Sequence, residues 1–299
     1  MDKTSGTFTG LPIFVFALLL LACMDTTTKY LVGSYNVLLV IAVRYITYTL
    51  LMLVLLAPSQ GKKLFHTQRT SLVVLRAGSL AIASFFLGLA LQRMPVAETT
   101  AIVFLGPILV VLLAAPLLDE RMGTIGWVAA IVGFVGVLLV AHPDNGLDLT
   151  GTLFAFCVVL ALVAYQLLSR MLVSTEQTIP LMFYTALVGS IVYGAVLPWS
   201  WYGPTPSTLD ILLFLGMGIF GGLGHFLYTA AYRHASASIL APMNYLQLLW
   251  AGLLGWIVFD HIPDTLSVIG MCVITASGVI IAIQSRTIKS TAANLTATE

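Results

Sequence analysis

The chain has 299 residues, of which 59% are hydrophobic and 8% charged, with a formal net charge of +1. A soluble domain carries about 25% charged residues, so a water-soluble globule is excluded. With no basic stripe anywhere in the chain, nucleic acid is excluded as a partner.

Apolar runs of the length a bilayer-crossing helix needs, roughly 20 residues, recur along the chain. They are read at 11–31, 35–57, 70–91, 96–117, 123–141, 150–170, 179–198, 208–231, 236–258 and 264–284. These runs are too long and too uniformly apolar for the alternating strands of a membrane barrel. Helices satisfy their own backbone in lipid, so the expected class is an all-α membrane protein of ten transmembrane helices. The three cysteines sit inside apolar runs and read as small buried hydrophobes. Lys and Arg concentrate in alternate links: Lys3, Lys62, Lys63, Arg69, Arg121, Arg170, Arg233, Arg286 and Lys289 on one side, against Lys29 and Arg93 on the other. This bias predicts cytoplasmic N- and C-termini.

Span 1 ends in CMDTTTKY, where Asp25 and Lys29, four apart, share a helix face. Span 2 carries Arg44. On a helical rise Asp25 and Arg44 lie ~10 and ~12 Å deep, which permits a gating or structural ion pair, with Lys29 as an alternative partner. Arg76, near the inner end of span 3, is expected to snorkel to water. Phe86 on that span is a candidate ring surface for a ligand.

Span 4 opens on Glu98, Thr99 and Thr100, continues through Phe104, and meets Gly106-Pro107, where Pro107 is expected to kink or loosen the helix. Spans 5 and 10 carry no charge; they are expected to pack or face lipid and are the candidate homodimer face. Span 6 ends in AYQLLSR, with Gln166 and Arg170 at the same spacing as Asp25 and Lys29, and Tyr165 beside them. In span 8, Gly216, Gly218 and Gly221 match G-x-G-x-x-G, but no strand precedes them. Gly218 and Gly222 instead form a small-xxx-small face for helix approach. His225 and Tyr228 follow on the same span and are expected to face the bundle interior. Span 9 carries Pro242, a second expected kink, then Asn244, Gln247 and Trp250. Asn244 and Gln247 are three apart on one face; amides at that depth need partners, either another helix or a polar ligand. No enzyme motif and no metal-spaced Cys/His set is present, so no enzymatic activity, cofactor or metal is expected.

The stretch Arg93–Arg121, RMPVAETTAIVFLGPILVVLLAAPLLDER, returns as RHASASILAPMNYLQLLWAGLLGWIVFDH from Arg233 to His261. Arg93 lines up with Arg233, Ala97 with Ala237 and Glu120 with Asp260. Five spans in each half is an odd number, so residues 1–149 and 150–299 are read as two inverted five-helix repeats around a central cavity, with the substrate site at their interface.

These two stretches, with the closing GFVGVLLV and ASGVIIA, resemble the drug/metabolite transporter superfamily in its ten-helix form with two EamA-type repeats, over nearly the whole chain. The chain is also similar to the bacterial aromatic amino-acid exporters of that superfamily. The resemblance implies a helix bundle in the bacterial inner membrane and export by a facilitated or ion-coupled route; Glu120 and Asp260 match acidic positions that look like helix-end structure.

The expected function is alternating-access export of amino acids, aromatic and other bulky apolar ones foremost. Asn244, Gln247, Thr99 and His225 are the expected partners of a zwitterion, and Phe86, Phe104, Tyr165 and Trp250 the expected ring surfaces, with Tyr228 beside them. The rival readings are an exporter of another small metabolite or drug and a non-transporting membrane assembly subunit.

Overall fold

The computed structural model describes residues 3–106, 108–110, 124–140, 148–172, 175–201, 204–234, 244–277 and 279–280. Among them no strand occurs. The helices are α1 (Lys3–Val32), α2 (Val37–Gln60), α3 (Thr70–Arg93), α4 (Val96–Val103), α5 (Thr124–Val140), α6 (Leu149–Leu172), α7 (Thr178–Ser200), α8 (Thr208–His234), α9 (Leu246–Phe259) and α10 (Thr265–Ser277). Segments of α1, α2, α3, α6, α7 and α8 are long and apolar enough to cross a membrane.

The short polar residues of the links start the helices. Asn36 Oδ1 accepts from the Leu38 amide at 2.8 Å ahead of α2. Asp148 Oδ1 accepts from the Gly151 amide at 2.6 Å ahead of α6. Asp264 does the same for the Ser267 amide at 2.7 Å ahead of α10. Ser207 and Asp210 exchange bonds as a capping box for α8. Each cap satisfies amides that the first helical turn leaves without partners.

The packing carries a twofold pattern. The most extensive pairings are α1 with α8 and α3 with α6; next come α2 with α7, then α2 with α8 and α3 with α7. Exchanging each helix of the first five for its counterpart in the second turns α1·α8 into α6·α3 and α2·α8 into α7·α3. It leaves α2·α7 and α4·α9 unchanged. Two five-helix repeats related by such an axis, each with an odd number of passes, are the inverted repeats expected from the sequence.

Close approach is bought with missing side chains along α8. A Cβ at Gly218 would meet Thr47 and the Arg44 carbonyl of α2, and one at Gly222 would meet Leu51 and Tyr48. Gly221 and Gly224 face Met24 and Leu21 of α1 instead. The stripe seats α8 in the groove between α1 and α2, so the G-x-G-x-x-G match is a packing surface. On the α2·α7 crossing, the Tyr45 ring lies directly on Gly189 and stacks on Tyr193 at 5.8 Å. α5 and α10 meet backbone to backbone, where a Cβ at Gly270 would come 2.6 Å from the Gly136 carbonyl. Their other faces are exposed, as at Ile131, Phe134, Leu138 and Ile269. Exposed apolar side chains also run along the outer faces of α2, α6, α7 and α8, the surface a bilayer would cover.

Span 4 differs from the continuous helix expected over 96–117, and the described part of span 9 opens on a turn. α4 stops at Val103, and Phe104 forms a turn before helical residues resume at Leu105. Pro107 has no N–H for the Val103 carbonyl, and its ring would crowd that oxygen. A turn at Asn244 and Tyr245, closed by Gln247 N–H to the Asn244 carbonyl at 3.0 Å, leads into α9 at Leu246. Pro107, Pro242 and Glu120 themselves lie outside the described residues. Asp260 ends α9 in the left-handed region at φ 52°, a place an Asp tolerates better than most residues, and it is exposed. It acts as a helix end, as the resemblance implied.

Candidate substrate site

The turn that ends α4 and the turn at the head of α9, helices that are counterparts under the exchange, meet each other. The Phe104 ring lies 5.2 Å from the Tyr245 ring. From the turn at the head of α9, the polar face points into the bundle. Tyr228 on α8 donates its hydroxyl to Asn244 Oδ1 at 3.0 Å. Gln247 Nε2 reaches Asp25 Oδ2 on α1 at 3.4 Å. Trp250, one turn on, packs on the cluster of Phe14, Leu18 and Ala231, and its indole N–H is buried with no hydrogen-bond partner. Five of the sequence-predicted residues, Asp25, Tyr228, Asn244, Gln247 and Trp250, therefore meet between α1, α8 and α9.

Asp25 and Arg44 are both buried, 8% and 7% exposed, and the Arg44 charge acts electrostatically on the Asp25 carboxylate. They do not form the expected ion pair. Asp25 Oδ1 has no hydrogen-bond partner. The Arg44 guanidinium lies over the adjacent Tyr45 ring at 5.0 Å and makes no hydrogen bond to a described residue. His225, half-buried on α8, is within electrostatic reach of Arg44 and Arg76.

Lys29 is not the alternative partner. Its Nζ donates to the carbonyls of Leu91 at 3.0 Å and Met94 at 2.7 Å. Those oxygens belong to the C-terminal end of α3, where a cation meets the negative end of the helix dipole. Thr99 is fully buried and turns its hydroxyl to the Pro95 carbonyl at 2.7 Å within its own helix, so it presents no donor to a cavity. Phe86 packs among rings, 5.5 Å from Phe85 and 6.0 Å from Phe154. Tyr165 accepts from Arg76 Nη2 at 2.6 Å, with the guanidinium over its ring at 4.3 Å.

Arg76 itself overturns the snorkelling expectation. It is 7% exposed; besides the bond to Tyr165, its Nε donates to Ser169 Oγ at 2.6 Å and its Nη1 to Thr185 Oγ1 at 3.0 Å. The same Nη1 also reaches the Leu181 carbonyl at 3.3 Å. It pins α3 to α6 and α7. Sequence reasoning also missed a contact between the halves at the end of the bundle where α1 joins α2: His261 Nε2 and Glu98 Oε1 are 2.9 Å apart. Glu98 is 1% exposed, and its other oxygen has no hydrogen-bond partner. A partner contributed by a link after α9 leaves no local signal. At the same end an apolar cavity of about 190 Å³ opens between α2 and α8, lined by Tyr35, Leu39, Val43, Trp201 and Phe214. Its apolar walls carry none of the buried charges described above.

Comparison with known proteins gives the same architecture. A solved crystal structure aligns over 96% of this chain and 99% of its own, at a TM-score of 0.68 and 19% identity, which shows the fold. The S-adenosylmethionine uptake transporter of Rickettsia conorii is 27% identical over 278 residues, spanning 91% of this chain and 92% of its own. An uncharacterised transporter of Helicobacter pylori strain J99 is 29% identical, spanning 92% and 94%. The pseudopaline exporter CntI of Pseudomonas aeruginosa is 28% identical over 64% of this chain and 67% of its own. The EamA-like transporter family model matches twice, at residues 8–141 and 149–283. With buried polar groups gathered between the paired helices and the family model covering both halves, this chain is a multi-pass membrane transporter, not an enzyme, and belongs to the EamA-like transporter family.

Proposed function

We propose that this transporter exports amino acids, aromatic and other bulky apolar ones foremost, across the bacterial inner membrane by alternating access, with both termini in the cytoplasm. The observation that carries the reading is the meeting of the turn after α4 with the turn at the head of α9, at Phe104 and Tyr245. Beside it lie the inward polar groups Asn244, Gln247 and Asp25. Interrupted helices in matching positions of two inverted halves are where secondary transporters hold their substrates. The ring pair offers surface to a flat side chain, and the amides and carboxylate offer partners to an amino-acid head group. S-adenosylmethionine, named for the Rickettsia relatives, is itself an α-amino acid with a flat ring system, and it supports that head group as the common element. The relatives' names include both uptake and export; the direction proposed here follows from the similarity to amino-acid exporters.

Purified protein in proteoliposomes, loaded with unlabelled amino acid, tests this by counterflow of labelled phenylalanine, tyrosine, tryptophan, leucine and S-adenosylmethionine. The expected result is counterflow of the aromatic amino acids above protein-free vesicles. Movement of S-adenosylmethionine with none of the aromatic amino acids would overturn the aromatic preference and leave the second reading, a carrier of another metabolite.

A further inference from the structure

We propose that Asp25 and Arg44 are the two halves of a clamp for a zwitterion, Arg44 taking the α-carboxylate of the solute and Asp25 its α-ammonium. The proposal rests on the amino-acid reading above and assigns its head-group site.

Two opposite charges buried in one interior ordinarily join, because an isolated charge there is costly. Asp25 on α1 and Arg44 on α2 are more than nine-tenths buried and sense each other's field, yet no salt bridge joins them. Asp25 has one long contact, 3.4 Å, from the neutral amide of Gln247, and its Oδ1 has none. Arg44 rests on the Tyr45 ring with its donors unused by any described residue. The half-buried Lys29 is engaged by two helix-end carbonyls, and the buried Arg76 by two hydroxyls, the Tyr165 oxygen and a carbonyl. The remaining buried acid in this part of the bundle, Glu98, is on His261. Asp25 and Arg44 are thus the complementary pair with capacity to spare. A zwitterion inserted between them completes both with charge-assisted bonds of about 2.8 Å. An amine or an acid alone completes one and leaves the other charge stranded, so the geometry selects for solutes that carry both.

The test is competition against labelled phenylalanine bound to the purified full-length protein, using phenethylamine, which lacks the carboxylate, and 3-phenylpropionate, which lacks the ammonium. On the wild type, each analogue is expected to compete at least about ten-fold less well than phenylalanine, the size of one lost charged hydrogen bond. In Asp25→Asn, 3-phenylpropionate is expected to approach phenylalanine to within about three-fold, and in Arg44→Gln phenethylamine is expected to do so. The wild-type analogue series needs no variant and decides on its own if a variant fails to fold: equal competition by either analogue overturns the clamp. Wild-type selectivity retained in both variants also overturns it while leaving the amino-acid reading intact. A wild type that binds no phenylalanine, tyrosine, tryptophan or leucine overturns the amino-acid reading, and the clamp with it.

Discussion

A single cation can be a ligand, a membrane anchor or a structural bolt, and the partners decide which. Arg76 is a bolt: its donors are spread over Ser169, Thr185, Tyr165 and the Leu181 carbonyl. Arg76→Ala would remove four hydrogen bonds, leave the Tyr165 hydroxyl without the partner it has here and open a cavity, so the expected loss of stability is about 3 kcal/mol, read as a lower midpoint in SDS titration of the purified protein. Arg76→Met, which keeps the stem, is expected to lose less. The sequence alone placed Arg76 near a helix end, where a snorkelling side chain is the usual reading. Its real partners lie 89 to 109 residues further on, beyond any local pattern. Lys29 was equally hard to read, because it binds main-chain carbonyls, which every residue has. By contrast the inward direction of Tyr228, Asn244 and Gln247 was legible, since amides and hydroxyls at that depth have nowhere else to go.

At the scale of helices, run length and the scarcity of charge gave the spans almost as they stand, because hydrocarbon leaves few backbone options. The place where α4 stops, at Val103, is less legible. Pro107 signals irregularity, but a kink and a full interruption look alike in sequence. How closely helices approach depends on pairs of residues from distant spans, and Gly189 shows the point: its role appears only when the Tyr45 ring lies on it. Gly189→Leu is expected to force α7 off α2, costing about 1–3 kcal/mol by overpacking. SDS titration reads the loss, and a smaller residue in place of Tyr45 should recover part of it. A midpoint equal to that of the wild type would show that the ring moves aside without cost.

For the molecule as a whole, alternating access requires that the two halves separate at one end while closing at the other. The Glu98–His261 contact ties α4 of the first half to the segment after α9 of the second. Joining the two positions covalently should stop turnover. With Glu98→Cys and His261→Cys in a background free of the native cysteines, a short thiol-specific cross-linker is expected to lower phenylalanine counterflow at least about ten-fold, with either single cysteine variant, treated alike, setting the reference. Unchanged flux after complete cross-linking would mean that this end stays shut throughout the cycle.

The residues of this latch are not repeated in the sequence of the other half. The register that sets Arg93 against Arg233 puts Ser238 opposite Glu98 and Arg121 opposite His261. In an alternating carrier, a contact such as Glu98–His261 that closes one mouth without help from the solute weights the empty protein toward the shape sealed there, so the solute must supply the difference before that mouth can yield.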